Sequence, residues 1–428
     1  MAKCIIIGGG IAGLSTAVYL SKYGHEIELI ESSPKFGGRT YSFFSNTFDA
    51  EIDNGQHLLM GAYKNTIDFL KITNAIDKIE FQENIKVIYI NKLGEKFKID
   101  ASKYFYPINL LSAIWNFNVL NKKEKLFIIK FIISLFIQDK NKLENITVAE
   151  WLKKNNQSIN TIKSFWKILT VSALNTNIDE AYAYLFKKML VKIFFAGNKS
   201  SIILIPKENL SKIFVEPTLE FLQRKNFSYS VSEKLEYIKI DKNFVKEIRT
   251  NKRTLTQFDY LILAITPYQI KKIICNENLI DNNFDKFETS AIISVNLKLK
   301  KNFMTEKFVA LIDSKIHWIF NHGEFITIVI SDANRYVEFP QDIIVEICIS
   351  ELQKYFKEFK KEFVFESSVI KEKRATIKST PNFEKIRSKV NSKISNLQFA
   401  GDWTNTGFPQ TIESAIYSGL KAAKKICS

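Results

Sequence analysis

The chain has 428 residues, 46% of them hydrophobic, so disorder is excluded and two domains sharing an interface are expected. Its formal net charge of +16 is spread along the sequence without a zinc finger, RNA-recognition signature or basic tail, which argues against nucleic-acid binding and leaves attraction to an acidic membrane surface. The four cysteines (Cys4, Cys275, Cys348, Cys427) lack C-x-x-C spacing and the four histidines are dispersed, which predicts a reducing, cytoplasmic setting with neither a disulfide framework nor a metal site.

Residues 3–31 read as a complete βαβ unit. Residues 4–7 are a short apolar, β-branched run, as in a buried parallel strand. Gly8, Gly10 and Gly13 follow as G-x-G-x-x-G, and a small-residue helical segment over 14–20 stops at Gly24. Residues 25–30 alternate polar and apolar, and Glu31 closes that strand 18 residues after Gly13. Gly8 permits the tight turn, Gly10 lets a pyrophosphate approach the backbone, and Gly13 lets helix and sheet pack closely. The helix N-terminus, with Ile11 and Ala12 beside Gly10, offers unpaired N–H groups to phosphate. Glu31 has the spacing of a carboxylate that bonds a ribose hydroxyl. Residues 4–21 are uncharged behind Lys3, as in a signal peptide or a membrane span. Three spaced glycines weaken such a helix, however, and His25 and Glu26 follow at once in a strand pattern, so neither is expected.

The next segment, 32–39, places Gly37 and Gly38 in a tight turn able to face a ligand, with Arg39 able to pair with phosphate. E-x-x-x-x-x-G-G-R after G-x-G-x-x-G resembles the FAD-binding N-terminus of the amine oxidase and phytoene desaturase superfamily. That resemblance implies that Gly37, Gly38 and Arg39 touch the FAD pyrophosphate. Residues 48–63 read F-D-A-E-I-D-N-G-Q-H-L-L-M-G-A-Y, which predicts a polar loop leading into a helix from Leu58. Here D-N-G-Q-H with the following G-A-Y is similar to the hydroxysqualene dehydroxylases. In the superfamily this loop lies beside the flavin ring, which implies roles there for Gly55, Gln56 and His57.

Residues 85–99 have the form of a hairpin around 91–95. Residues 104–121 are uncharged, but Pro107, four asparagines and a serine make a membrane span doubtful. The pattern over 122–196 is mostly helical, including 126–138 and the aromatic, lysine-bearing 181–196. Such a helical cap would line an apolar tunnel, rest on a bilayer with its lysines snorkelling, or simply form core. From 201 onward the α/β pattern resumes: 202–206 and 210–225 are similar to the superfamily segment that re-enters the FAD domain. Strands are expected at 227–231, 235–240 and 258–265, with a Pro turn at Pro267. Further strands at 290–300, 308–313, 317–321 and 324–331 would floor a substrate cavity, and 342–359 is an amphipathic helix.

The end of the chain carries a second strong signal. Residues 397–404 read as a strand followed by Gly401 and Asp402, and helical periodicity starts at Thr411. The superfamily resemblance implies that Gly401 and Asp402 lie beside the ribityl and pyrophosphate. It also places Thr411 and Ile412 at a helix N-terminus under the isoalloxazine, where negative charge is stabilised.

Taken over nearly the whole chain, the resemblance implies an α/β fold. A Rossmann-like FAD-binding domain of the GR2 type would comprise 1–80, 201–285 and 372–428. An inserted α+β substrate domain, a mixed or antiparallel sheet plus a helical cap, would comprise 81–200 and 286–371. The implied activity is an FAD-dependent oxidoreductase of squalene and hopanoid biosynthesis. It would reduce hydroxysqualene to squalene with hydride from reduced FAD and loss of water. Asp53, His57 and His317 are the candidate proton donors, and the implied partner is a polyisoprenoid, with peripheral attachment to a membrane. A phytoene-type desaturase and a non-catalytic prenyl-binding carrier stay open. Amine oxidation is disfavoured, because no aromatic cage or flavin-facing lysine can be placed. Oligomeric state is not readable from these residues.

Overall fold

The computed structural model describes residues 1–139, 141–273 and 286–427; Cys275 and the expected domain boundary at residue 285 lie outside them. The β-branched run Lys3–Ile7 is the middle strand of a five-stranded parallel sheet. The order is Phe227–Ser230, Glu26–Ile30, Lys3–Ile7, Tyr260–Leu263 and Leu397–Phe399. Cys4, Ile5 and Ile6 are fully buried, because helices cover one face and a small three-stranded sheet with strands Leu235–Asp241 and Phe244–Thr250 packs on the other, and that explains an apolar run without alternation. The helix Ile412–Cys427 lies against the helix Ile11–Lys22. Ser15 Oγ donates to the Ile416 carbonyl at 2.8 Å, and a Cβ on Gly419 would sit 2.7 Å from the Thr16 nitrogen. The two ends of the chain are thereby locked together.

A second, seven-stranded sheet runs in the order Val364–Ile377, Thr289–Leu299, Phe325–Ile330, Trp318–Asn321, Phe308–Leu311, Lys86–Ile90 and Lys96–Asp100. Its pairings are antiparallel except between Phe308–Leu311 and Lys86–Ile90, so the sheet is mixed. The hairpin expected over 85–99 is its edge. Helices Ile108–Trp115, Lys122–Ser134, Val148–Lys154, Lys167–Leu174 and Ala183–Phe195 cover one part of it. Two of them start at capping boxes, Asn121 with Glu124 and Thr147 with Glu150, each contributing about 1 kcal/mol. Their core is aromatic: Phe131 lies 4.6 Å from Trp151 and 5.2 Å from Trp166, centroid to centroid. Both indole N–H groups are satisfied, by Gln138 and Gln157, so the rings bury their area without stranding a donor.

Two expectations change. No helix starts at Leu58: Leu59–Met60 is extended and pairs antiparallel with Ile203 and Leu204. Gly61 passes so close to Lys199 that a Cβ would lie 1.7 Å from its carbonyl oxygen, and the helix begins only at Lys64. The amphipathic helix expected over 342–359 is Gln341–Tyr355. Beyond it Phe356 and Phe359 turn in to pack on Phe303. Within 104–121 only Ile108–Trp115 is helical. Among the described residues no helix is long and apolar enough to cross a membrane, and no group of three or more His, Cys, Asp or Glu is placed to hold a metal ion.

Candidate functional site

The chain leaves the first strand through Gly8, whose φ of +107° favours glycine and whose Cβ would lie 2.5 Å from the Ala264 carbonyl oxygen. Gly13, one turn into the helix, packs against the same loop, with a Cβ position only 1.9 Å from the Gly8 oxygen. It sits behind the site and does not line it. Gly10 is different: its φ is −71° and the nearest atom to a Cβ would be Gly38 Cα at 3.8 Å. Its backbone therefore faces open space. The second glycine turn docks directly here, since the Gly37 N–H donates to the Gly9 carbonyl at 2.9 Å. Two turns recognised separately in the sequence form one wall around the N-terminus of Ile11–Lys22.

Glu31 braces that wall. Its carboxylate accepts the Gly9 N–H and the Ser33 N–H, each at 2.6 Å, and still lines the cavity with acceptor capacity for a hydroxyl. Arg39, expected to face phosphate, lines the cavity and donates through Nη2 to both Asp402 oxygens at 2.9 and 3.0 Å and through Nη1 to the Ala375 carbonyl. Asp402 raises the Arg39 pKa further. This pair fastens the N-terminal turn to the strand Val364–Ile377 and to the entrance of the C-terminal helix. Gly401, before Asp402, has a φ of +152° and a Cβ position 2.3 Å from Trp403 Nε1, so a side chain has no room there.

The 53–57 cluster divides. Gly55, Gln56 and His57 line the cavity, whereas Asp53 does not. Asp53 accepts the Ser42 hydroxyl at 2.7 Å and the Leu210 N–H at 2.9 Å, tying the hairpin of Ser42–Ser45 and Ala50–Asp53 to the segment after residue 209. Asp53 is therefore withdrawn as a proton donor. His317 is withdrawn as well, because strand alternation turns Trp318 and Phe320 toward the cavity and His317 away from it. Its Nδ1 accepts the Ser331 N–H at 3.1 Å. Burial, with the Arg39 charge second, pushes the His57 pKa down to about 4. His57 is neutral at pH 7, an acceptor and not a store of protons.

Apart from Gly13, Asp53 and His317, these groups open on one cavity of ≈ 1460 Å³. At one end are Gly8, Gly10, Ile11, Ala12, Glu31, Gly37, Gly38 and Arg39, with Gly401, Asp402, Thr411 and Ile412 alongside. The other end is apolar: Leu110 and Ile114, Phe165, Ile168 and Met189 from the helices, and Val87, Tyr89, Trp318 and Phe320 from the mixed sheet. The helical layer thus both forms core and walls a tunnel. Sequence reasoning missed three cavity-lining groups, Lys188, Lys192 and Gln410, and one buried brace behind them, Glu413. Lys188 and Lys192 project from Ala183–Phe195 into this wall. Lys192 Nζ lies 3.5 Å above the Phe408 ring, and burial lowers its pKa. Three lysines, Lys187, Lys188 and Lys192, the last two four apart, in an otherwise largely apolar helix were the available signal, and snorkelling to a headgroup explained them equally well. Glu413, fully buried, accepts from the backbone N–H and side chains of Asn65 and Thr66, so it caps Lys64–Ile72. Gln410 has its Oε1 on Ser379, while its buried Nε2 has no partner among the described residues.

The donor set fits an elongated ligand with anionic and ring-polar groups. Two helix N-termini face the cavity, Gly10 leaves room for close backbone approach, and Gln410 holds an unmatched donor at the wall. The chain matches the family described as flavin containing amine oxidoreductase over residues 11–427. It is 27% identical to a hydroxysqualene dehydroxylase of Zymomonas mobilis, covering 99% of this chain and 98% of that one. A 15-cis-phytoene desaturase of Glycine max is 23% identical, covering 99% of this chain and 79% of that protein. Among solved structures, an oxidoreductase from Methanosarcina mazei superposes with a TM-score of 0.76 at 16% identity, covering 99% of this chain and 100% of that one, which speaks to the fold alone.

Proposed function

The chain belongs to the flavin containing amine oxidoreductase family, and from that premise we propose that it is an FAD-dependent enzyme reducing hydroxysqualene to squalene with loss of water. The observation that carries this reading is the single cavity that runs from glycine turns and helix N-termini to an aromatic and aliphatic wall. Near full-length similarity to a hydroxysqualene dehydroxylase supports the substrate. Gly8, Gly10 and Gly38 would admit the FAD pyrophosphate, Glu31 would take a ribose hydroxyl, and Gln410 with the N-terminus of Ile412–Cys427 would meet the polar edge of the ring. Bound there in reduced form, FAD supplies a hydride equivalent to carbon.

The chain's own residues have three further tasks. The apolar end excludes water and holds the hydrocarbon extended. The allylic C–O bond breaks with the oxygen leaving as water, a C–H bond forms, and the proton for the leaving hydroxyl must come from the protein. Lys192 is the donor we assign: it is on the wall, its Nζ stands over the Phe408 ring, and burial has lowered its pKa, which makes it a better acid than a free lysine. After the proton has left, the neutral amine no longer opposes a developing carbocation, and rings such as Trp318 and Phe408 can face that charge. Because substrate and product are long apolar polyisoprenoids that partition into membranes, peripheral attachment to a bilayer is part of this reading.

The test is a product assay on purified protein. Flavin released on denaturation should be FAD, and hydroxysqualene plus a flavin reductant should give squalene by mass spectrometry. Absence of squalene sinks the proposal. Conjugated polyenes formed from phytoene would replace it with a desaturase, and prenyl binding by flavin-free protein would replace it with a carrier.

A further inference from the structure

The helix Ile108–Trp115 uses its two faces differently. Leu110, Ala113 and Ile114 line the apolar end of the cavity, whereas Ile108 and Trp115 are 44% and 42% exposed. Just before it, Tyr104 and Phe105 are 67% and 73% exposed. The next helix, Lys122–Ser134, and its exit present Leu126, Ile133 and Ile137 to solvent. Leu126, Lys130 and Ile133 share one helical face by their spacing, and Ile137 follows in the turn after Ser134. Phe136, also exposed, meets Phe195 with ring centroids 4.0 Å apart, and Tyr106 donates to the Phe194 carbonyl at 2.9 Å. The end of Ala183–Phe195 thus joins the two exposed groups. The same elements wall the cavity on one side and carry bare aromatic and aliphatic side chains on the other.

An apolar surface of this kind marks a docking site, and its charge says for what. Residues 102–138 hold four exposed lysines, Lys103, Lys122, Lys123 and Lys130, a buried fifth, Lys125, and a single acid, Glu124. That acid is buried in its capping box. Exposed rings and aliphatic tips ringed by lysine match the boundary between acyl chains and anionic headgroups. We propose that the surface formed by Tyr104, Phe105, Ile108, Ile133, Phe136 and Ile137 seats on an anionic phospholipid bilayer, setting the apolar end of the cavity against the acyl chains. This inference rests on the proposed polyisoprenoid chemistry for its purpose, not for its geometry.

The experiment is co-sedimentation of the purified full chain with vesicles of phosphatidylcholine alone and of phosphatidylcholine mixed with phosphatidylglycerol. Binding is expected on the anionic vesicles and should weaken with added salt. The double variant Phe105→Glu/Ile137→Glu should lose at least about tenfold in vesicle affinity. Leu93→Glu, an exposed leucine at the far turn of the hairpin, should keep it. No binding by the wild type, or undiminished binding by the double variant, overturns the proposal. So does a wild-type dimer that the double variant converts to monomer, which would make the surface a self-interface. Turnover of detergent-dispersed hydroxysqualene separates the two claims: the double variant should retain it. If the wild type binds vesicles as described but makes no squalene, the assigned reaction fails and the docking surface stands.

Discussion

Gly10 and Gly13 stand three residues apart in one glycine loop, yet alanine at each should fail differently. At Gly13 the added methyl would be placed 1.9 Å from the Gly8 carbonyl oxygen, a backbone atom with no rotamer to escape into. Helix and strand would have to separate by more than about 1 Å, and overpacking of that kind costs roughly 1–3 kcal/mol or more. At Gly10 the backbone is already suited to alanine, with φ −71° and ψ 175°, and the methyl meets only Gly38 Cα at 3.8 Å. The flavin-free Gly10→Ala protein should therefore be as stable as wild type to within about 0.5 kcal/mol, or slightly more stable through its less flexible unfolded chain. Its methyl instead occupies the room left for a pyrophosphate, so FAD affinity should fall roughly ten- to a hundredfold. Thermal unfolding of the flavin-free proteins, with FAD titrated by fluorescence quenching, measures both quantities. If Gly10→Ala binds FAD like wild type, or Gly13→Ala is as stable as wild type, the assignment of packing to one glycine and ligand approach to the other is wrong.

Glu31→Ala removes the acceptor of two backbone N–H groups. Hydrogen bonds to a charged acceptor contribute about 1.5–3 kcal/mol each, so a loss of about 3 kcal/mol and poorer flavin retention are expected. A variant as stable and as yellow as wild type would contradict this. Burial, with the charge of Arg39 or Lys167 second, pushes the pKa values of His57 and His317 down to about 4. As pH falls below the ordinary value of 6.5, the unfolded chain takes up protons first. Stability is therefore full above that pH and is lost as pH falls toward 4, by up to about 3 kcal/mol per histidine. Melting temperatures across that window should show the drop, smaller in His317→Gln; an equal drop would place its cause elsewhere. Lys192→Gln should lower turnover by roughly 10²–10⁴-fold while leaving flavin content unchanged, and full activity would remove Lys192 as the proton donor.

The parts of the site that were legible in the sequence are those where the backbone itself makes the demand. Gly8 and Gly401 stand where positive φ and close neighbours exclude a side chain, and such positions write themselves into the sequence as glycine beside a strand. The helix starting at Ile412 was legible by its period. What was not legible depends on partners distant in the chain. Asp53 looks like a free acid in D-N-G-Q-H, and only the approach of Ser42 and Leu210 shows it engaged. His317 sits in an aromatic strand whose alternation was readable, but not which face would meet the cavity. Leu58 looked like a helix start because the strand Ile203–Pro206 that claims Leu59 and Met60 lies far along the chain. Lys188 and Lys192 were visible at helical spacing, and only the fold shows that their face turns inward.

The central claim is that one cavity couples a flavin to the removal of an allylic hydroxyl. A single turnover tests it most directly. Purified enzyme, its flavin reduced anaerobically and excess reductant removed, is mixed with hydroxysqualene while the flavin spectrum is followed and squalene is counted. The expected result is return of the oxidised flavin spectrum with one squalene formed per flavin. Flavin that stays reduced in the presence of substrate, or flavin that reoxidises without squalene, would contradict it.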